Sequence, residues 1–235
     1  MPNLLALDTS GNSCSVAVWQ QQDGQAPQVF SLHEAAQRSH TQRLLPMVQE
    51  VLDMAGMQQS ELHAIVYGRG PGSFTGIRIA AGVAQGLAFA LDIPLIPVST
   101  LAAMALQAEE ANSAAAHLCC LDARMNEVYS GCYKVDLQTP ELVQELQPEA
   151  VLSPVAVVQP EMTYTLSGSG VEVADFPAQV LANAMACDAQ LEPMAKYMVQ
   201  LGAADLARGI APLPEHALPV YLRDEVTWQK LPRYQ

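Results

Sequence analysis

The sequence predicts an α/β protein of two similar lobes, each a mixed sheet with helices, that arose by internal duplication. Three observations support this fold class. The 235 residues suffice for two domains, each of about 115 residues. The first half alternates strand-like and helix-like segments in the order βββαβαβ. The opening of the chain is then repeated near its midpoint.

The first predicted elements are a strand, a tight turn and a returning strand. Residues 3–8 are an apolar run that ends in Asp8, and CSVAVW after the turn alternates and is rich in β-branched side chains. VFSLHEA is a weaker third strand. A helix is predicted over 39–55, where Pro46 indicates either a kink or a later start near Leu45.

A glycine-rich loop connects the next strand and helix. AIVYG predicts a buried strand, GRGPGSFTG a loop, IRIAAGVAQGLAFAL a helix and IPLIPV another strand. The loop lacks the Gly-Lys-Ser/Thr of a Walker motif, and Thr75 breaks the G-x-G-x-x-G pattern. Pro71 also removes an N–H donor. We therefore favour a tight turn that brings helix and strand close together over a phosphate site.

The helix after this loop is apolar on nearly every face. A helix that covers a sheet needs one apolar stripe, so its remaining faces must be covered as well. Burial within this chain is one explanation, and we favour the other, which is contact with the helices of a partner. The preceding helix is similarly apolar. The candidate interface residues on the two helices are Leu44, Met47, Val48, Val51, Arg78, Ile79, Val83, Gln85 and Leu87.

The repeat lies in HLCCLDARMNEVYSGCY, which follows the plan of LLALDTSGNSCSVAVW. Asp8 corresponds to Asp122 and Trp19 to Tyr133, at an offset of 114 residues. Each segment is an apolar strand that ends in Leu-Asp, a polar turn and a returning strand that ends in an aromatic residue. This match predicts a duplicated lobe.

The duplication divides the chain into two predicted domains. We expect a first lobe at residues 1–107 and a second, degenerate lobe at 113–216, with a tail over about 217–235 that returns to the first lobe. In the second lobe, TYTLSGSG predicts a strand followed by a loop, and residues 194–207 predict an amphipathic helix.

Composition excludes several classes of protein. The 24 acidic and 11 basic residues leave a net charge of −13, which disfavours autonomous nucleic-acid binding because counterion release requires clustered Lys and Arg. Five cysteines without C-x-x-C spacing, and histidines without ligand spacing, predict buried thiols and no metal site. MPNLLALDTS lacks the features of an export signal, and the longest apolar region is interrupted by polar residues, so we expect a cytoplasmic protein without membrane contact.

The turn that contains Asp8, Thr9, Ser10 and Gly11 is the candidate for chemistry. It resembles the first phosphate-binding turn of the actin-like ATPase and sugar-kinase superfamily. In those proteins the aspartate interacts with a metal-bound nucleotide. The matching turn of the second lobe, ARMN, contains no glycine, so half of a nucleotide clamp is missing. Two interpretations stay open: a vestigial nucleotide turn, or an aspartate that caps a turn, which we favour. No catalytic residue is predicted.

Several segments together resemble the TsaB family, also called YeaZ. They are ALDTSGNSCSVAVW, HTQRLLPMVQEVL, YGRGPGSFTGIRIAAGVAQGLAFALDIPLIPVSTL, LDARMNEVYSGCY and PVYLRDEVTWQKLP, of which GRGPGSFTGIRI is specific to that family. The match is close over 4–133 and good over 219–232. It implies an actin-like fold (ASKHA, ribonuclease H-like) and membership of the machinery that places threonylcarbamoyl on the adenosine next to the tRNA anticodon.

The resemblance also implies partners and a role. TsaB proteins pair, helix to helix, with their paralogue TsaD, which carries the active site, and the ATPase TsaE joins them. A second TsaB replaces TsaD when TsaD is absent. The metal-binding histidines of TsaD fall here on Thr100 and Met104. The implied role is a non-catalytic subunit that activates TsaD, with tRNA bound only through the complex and with ATP and metal held by the partner subunits.

Two alternatives belong to other functional classes. The first is a small-molecule kinase or ATPase of the actin-like superfamily, which needs a glycine-rich second phosphate turn and an adenosine-binding glycine pair, for which Gly168 and Gly170 are the candidates. The second, less favoured, is a glycoprotease-like metallopeptidase, which needs the missing histidines.

Overall fold

Two five-stranded sheets form the framework of the chain in the computed structural model, which describes residues 2–22, 24–36 and 39–223. The strands of the first sheet are β1 (Leu4–Asp8), β2 (Ser13–Gln20), β3 (Gln28–Ala35), β4 (Ala64–Gly70) and β5 (Leu95–Ser99). Those of the second are β6 (Ala116–Arg124), β7 (Glu127–Val135), β8 (Val143–Leu152), β9 (Tyr164–Ser167) and β10 (Ala186–Asp188).

The two sheets have the same topology. Their strand orders are β3-β2-β1-β4-β5 and β8-β7-β6-β9-β10. In each sheet the first three strands along the chain pair antiparallel, and the last two are added in parallel. This repetition is what an internal duplication produces, and the α/β class with two mixed sheets is confirmed.

Within the described ranges, five α-helices accompany the sheets: α1 (His40–Ala55), α2 (Phe74–Leu91), α3 (Thr100–Ala111), α4 (Ala178–Asn183) and α5 (Ala195–Ala207). Helix α1 begins at His40 and includes Pro46, so the alternative of a start near Leu45 is wrong. Helix α2 begins three residues before the predicted Ile77, because the side chain of Ser73 caps it by accepting a hydrogen bond from the Gly76 N–H.

The side chains of β1 alternate between two cores. Leu5 and Leu7 lie in the outer core beneath α1 and α2, whereas Leu4 and Ala6 lie in a middle core between the two sheets. The middle core combines residues of both sheets with those of α3 and α5. A third core lies on the other face of the second sheet.

Helix α5 lies on the first sheet, although the chain reaches it after the second. The Ala195 N–H donates to Ser15 Oγ at 2.9 Å, and a Cβ on Gly202 would lie 2.4 Å from Val66 Cγ2. The expected division assigns α5 to the second lobe, at 113–216. The residue limits of the two lobes stay a prediction.

The described part of the tail contacts the first lobe. Ala217 is fully buried in the outer core, and the Val220 N–H donates to the carbonyl of Arg69 at 2.8 Å. The guanidinium of Arg223 then reaches the second sheet and donates to the carbonyl of Ala123 at 3.2 Å. The rest of the expected returning tail, 224–235, lies outside the described residues.

Glu149 on β8 connects the two sheets through polar contacts. Its carboxylate accepts hydrogen bonds from Arg69 Nη1 at 3.0 Å and from the Tyr133 hydroxyl at 2.9 Å, and also from the Ser99 hydroxyl. The Glu149 side chain is only 7% exposed. Burial and this carboxylate hold the pKa of Tyr133 well above its usual value. Glu149 therefore satisfies donors from both lobes at a single buried point.

Candidate partner surface and nucleotide turn

The turn after β1 is buried. Asp8, Thr9 and Ser10 are at most 3% exposed. Asp8 Oδ2 accepts hydrogen bonds from the Ser10 N–H at 3.1 Å and the Ser10 hydroxyl at 2.9 Å, whereas Oδ1 has no partner among the described residues. Burial raises the pKa of Asp8 to about 7, against the lowering effect of the Ser10 hydrogen bonds. The carboxyl group caps its own turn.

The glycine loop lies directly over this turn. The Ser73 N–H donates to the carbonyl of Ser10 at 2.8 Å, and a Cβ on Gly72 would lie 2.7 Å from that same oxygen. On the other side of Asp8, a Cβ on Gly68 would lie 2.1 Å from Oδ1. Gly11, the last residue of the candidate turn, lies near Pro193. The glycine loop and β4 therefore lie in direct contact with the turn.

The corresponding turn of the second lobe is open. Arg124, Met125 and Asn126 have φ angles of 65°, 56° and 57°. Three successive non-glycine residues therefore adopt the left-handed backbone conformation that glycine would favour. A cavity of about 410 Å³ lies beside them. Its lining residues are Asp122, Arg124, Met125, Asn126, Ser169, Glu172 and Val173. Arg124 binds Asp122 at 2.9 Å, so the two charges of this turn neutralise each other.

The glycine pair that a kinase would require serves packing instead. A Cβ on Gly168 would lie 2.3 Å from the carbonyl oxygen of Cys120, and one on Gly170 would lie 2.8 Å from the carbonyl carbon of the same residue. Both glycines therefore let the loop after β9 approach β6 closely. This contact gives the pair a structural role without a nucleotide.

The positions of the missing metal ligands are buried. Thr100 and Met104 lie in the first turns of α3 with no exposed surface, and the Thr100 hydroxyl donates to Ser10 Oγ at 3.5 Å. Over the described ranges, no group of three or more His, Cys, Asp or Glu residues is arranged to hold a metal ion. Neither Thr100 nor Met104 carries a nitrogen donor for such an ion.

The four candidate interface residues on α1 lie in the core of the chain. Leu44, Met47 and Val51 have no exposed surface, and Val48 is 1% exposed. They pack against the first sheet in the outer core. This corrects the expectation that they face a partner, because their helical spacing is that of the stripe by which α1 covers its own sheet.

Helix α2 retains an exposed apolar side, which we call the α2 face. Here Cβ atoms on Gly82 and Gly86 would have no atom within 4 Å, and Phe89 is 82% exposed. By length and composition alone, at a mean hydropathy of 1.4, α2 could cross a membrane, although a third of it is buried. The α2 face comprises Thr75, Arg78, Ile79, Gly82, Val83, Gly86, Phe89 and Ala90.

The candidates on α2 lie on this face or beside it. Ile79, Val83 and Leu87 are half-buried and pack against the outer core, so they present part of their surface. Gln85 is also half-buried, and its Nε2 donates to the carbonyl of Ala217 at 3.1 Å. Gln85 therefore binds the chain's own tail.

Arg78 lies at the N-terminal end of the α2 face, between two aromatic rings. Its Cζ is 3.5 Å from the ring centroid of Phe74 and 5.3 Å from that of Tyr221. Its Nε donates to the Tyr221 hydroxyl at 2.9 Å. Phe74 and Tyr221 are themselves 56% and 46% exposed. Aromatic rings and arginine are the side chains most enriched at energetically important contacts between proteins.

Comparison with known proteins finds similarity along nearly the whole chain. Residues 28–230 match the model of the family described as TsaD, tRNA N6-adenosine threonylcarbamoyltransferase. The tRNA threonylcarbamoyladenosine biosynthesis protein TsaB of Escherichia coli (strain K12) is 42% identical over 235 residues, which cover 97% of this chain and 98% of that protein. The protein of the same name from Haemophilus influenzae is 40% identical over 234 residues, 97% of each chain.

Solved structures show the same relationship. A Pseudomonas aeruginosa protein described as similar to peptidase YeaZ superposes with a TM-score of 0.85 at 42% identity, covering 95% of this chain and 100% of that one. YeaZ from Pseudomonas aeruginosa superposes with a TM-score of 0.82 at 41% identity, covering 94% and 100%. The comparison of sequences and the comparison of structures thus identify the same group of similar proteins.

Proposed function

Because this chain belongs to the TsaD family and, within it, to the TsaB proteins, we propose that it is the non-catalytic subunit that binds and activates TsaD. It acts in the biosynthesis of tRNA threonylcarbamoyladenosine. In the proposed division of labour, TsaD transfers threonylcarbamoyl to the adenosine next to the anticodon. This chain contributes a binding surface and no reacting group.

The exposed α2 face is the observation that carries this proposal. Its glycines leave open space above the helix backbone, so that a helix of another protein can approach closely. Phe89 and the half-buried Ile79 and Val83 supply apolar area around that space. An exposed apolar surface of this kind marks a contact with another macromolecule.

Two further observations support a non-catalytic role. The buried Thr100 and Met104 stand where TsaD-type sequences carry metal-binding histidines. The Asp8 turn, which would hold phosphate in an actin-like enzyme, is in direct contact with the glycine loop. We therefore propose that ATP and metal are held by the partner subunits.

The remaining partners follow from the same proposal. TsaE joins the complex, and a second copy of this chain occupies the α2 face when TsaD is absent. The net charge of −13 repels phosphate, so tRNA binds through the other subunits. The proposed location is the cytoplasm.

A reconstituted reaction tests the role of the chain. TsaD, TsaE and tRNA are incubated with ATP and the threonylcarbamoyl donor, with or without this chain, and the modified nucleoside is measured by mass spectrometry after digestion. We expect modification only when both TsaD and this chain are present. Transfer by this chain without TsaD, or full activity of TsaD without this chain, would contradict the proposal. Calorimetric titration of the lone chain with ATP and magnesium distinguishes the proposed function from that of a kinase. A kinase should release or absorb heat as it binds the nucleotide, whereas we expect no heat of binding from this chain.

A further inference from the structure

The last described residues of the chain join the two lobes. We call residues 217–223 the tail strap. On the first lobe, the Val220 N–H donates to the carbonyl of Arg69 at 2.8 Å. On the second lobe, Arg223 Nη2 donates to the carbonyl of Ala123 at 3.2 Å. The tail strap is therefore held at two points that belong to different lobes.

Tyr221 of the tail strap lies at the N-terminal end of the α2 face. Its hydroxyl accepts a hydrogen bond from Arg78 Nε at 2.9 Å. Its ring centroid is 5.8 Å from that of Phe74, and the two ring planes are inclined by 49°. We call Phe74, Arg78 and Tyr221 the aromatic cluster. Because Arg78 belongs to the α2 face, a partner that covers this end of the face contacts the aromatic cluster, whose side-chain types are enriched at energetically important protein contacts.

The guanidinium of Arg223 binds the turn between β6 and β7. Besides the carbonyl of Ala123, it contacts Met125 Sδ, which is 3.3 Å from Nη1, and it forms an ion pair with Glu127. Hydrogen bonds from a guanidinium to a carbonyl and a carboxylate are charge-assisted and therefore stronger than neutral ones. The Arg223 side chain is 23% exposed, so water screens these contacts less than it would at an open surface. The second lobe thus anchors the end of the tail strap.

A single residue separates this anchor from Tyr221. Two residues of fully extended chain span at most about 7 Å, so Tyr221 cannot move far while Arg223 stays bound to the turn. The hydrogen bond of Val220 restrains the tail strap on the other side of Tyr221. Release of Arg223 would remove one of these two restraints, and the tyrosine ring would then be held less firmly against Arg78.

We infer that Arg223 is a positioning residue for the partner surface: by binding the β6–β7 turn it holds Tyr221 in the aromatic cluster, and it thereby raises the affinity of the chain for TsaD. The inference rests on the proposed function. Conformational freedom that is lost before binding is not lost again on association, so an ordered contact surface binds more tightly than a mobile one. In this way the second lobe contributes to a contact that the first lobe makes.

Hydrogen exchange in the free full-length chain tests the restraint without TsaD. The Val220 N–H is hydrogen-bonded, so its exchange rate, measured by NMR, reports how often the tail strap opens. We expect Arg223→Met to speed the exchange of this amide at least threefold. Lys134→Met removes the same charge from an exposed position on β7 and should leave the rate unchanged. An unchanged rate in Arg223→Met would overturn the inference.

Titration calorimetry measures the affinity of purified TsaD for the same chains. We expect Arg223→Met to weaken binding at least fivefold, and Glu127→Ala, which removes the carboxylate of the ion pair, to weaken it at least threefold. Arg223→Lys keeps a cation for Glu127 and should bind more tightly than Arg223→Met. Lys134→Met should stay within twofold of wild type. Wild-type affinity in Arg223→Met, or an equal loss in the lysine and methionine variants, would overturn the inference.

A double-mutant cycle with Tyr221 separates positioning from direct contact with TsaD. In the Tyr221→Ala background there is no ring to position, so Arg223→Met should change the affinity less than twofold. If the fivefold loss persists in that background, Arg223 acts by another route and the inference is wrong.

Two controls keep the outcomes distinct. Circular dichroism checks the folding of each variant, and Glu127→Ala takes the place of Arg223→Met in the cycle if the latter unfolds. If the wild-type chain itself does not bind TsaD, the proposed function is wrong, whereas the exchange rate of Val220 still shows whether Arg223 restrains the tail strap.

Discussion

The hydroxyl of Thr9 donates to the carbonyl of Gly76 at 2.6 Å, which joins the turn after β1 to the first turn of α2. The same pair shows how tightly the two elements approach, since a Cβ on Gly76 would lie 1.8 Å from the carbonyl oxygen of Thr9. No side chain fits at that distance without displacement of the backbone.

Substitution of Gly76 by alanine should therefore destabilise the fold. We expect Gly76→Ala to lower the free energy of unfolding by about 2–4 kcal/mol, the range of severe backbone and packing defects. Gly82→Ala in the same helix is the matched control, because it meets no atom within 4 Å and should stabilise the helix by about 0.5–1 kcal/mol. Urea unfolding followed by circular dichroism measures both. Equal effects would show that the close approach at Gly76 is not limiting.

The buried carboxyl of Asp8 predicts a pH dependence of stability. Its pKa rises from the ordinary value of 3.8 to about 7 in the fold, so the folded state binds the proton more tightly. Its contribution is fully present below about pH 4 and is lost as the pH rises to about 7. The loss is roughly 4 kcal/mol at most.

Asp8→Asn isolates this effect, because it keeps the shape and an acceptor for Ser10 but cannot ionise. We expect the variant to be more stable than wild type at pH 8, and the difference to shrink towards pH 5. Urea titrations at several pH values measure it. A difference that is constant across that range would mean that Asp8 does not titrate there.

Loss of the Glu149 carboxylate should weaken the connection between the two sheets. Glu149→Ala leaves Arg69, Tyr133 and Ser99 without their acceptor, which we expect to cost about 3 kcal/mol of folding free energy. Glu149→Gln retains one acceptor oxygen and should cost about half as much. Glu145→Ala on the exposed side of the same strand should stay within about 0.5 kcal/mol of wild type. Comparable losses for positions 145 and 149 would refute a special role for the buried carboxylate.

The α1 and α2 helices should respond differently to substitution. Gly86→Leu adds a side chain to open surface, so the variant should fold as wild type yet bind TsaD at least tenfold more weakly. Met47→Glu places a charge in the core and should unfold the chain. Circular dichroism and a TsaD pull-down check the pair. If the Met47→Glu variant folds and loses only TsaD binding, α1 is part of the interface and its assignment to the core is wrong.

The sequence predicts well those elements whose pattern is local. The paired strands around Asp8 and Asp122 follow from alternation and from their repetition, and the period of residues 194–207 predicts α5. Helix α3 is not among the elements predicted from the sequence, although Ser99 caps it by accepting from the Ala102 N–H at 3.0 Å. A serine followed by an alanine-rich run is the signal that identifies such a helix.

The candidate site is predictable only in part, for a physical reason. An apolar helical stripe looks the same in sequence whether it covers its own sheet or another protein, so Met47 on α1 and Val83 on α2 cannot be distinguished. The aromatic contact of Arg78 with Tyr221 spans 143 residues of chain. Contacts between such distant positions depend on the tertiary fold, so no local sequence pattern predicts them.

The position of α3 and α5 between the sheets has a mechanical consequence. In a clamp that opens and closes around a ligand, two bodies rotate about a hinge and slide along a weak boundary. Here the boundary is itself a hydrophobic core, to which Leu4, Met104, Cys119 and Met198 contribute from both sides. Rotation of one lobe against the other would break the packing contacts of that core, and close-packed interiors resist such deformation. The chain should therefore present the α2 face as one rigid body and melt in a single cooperative transition.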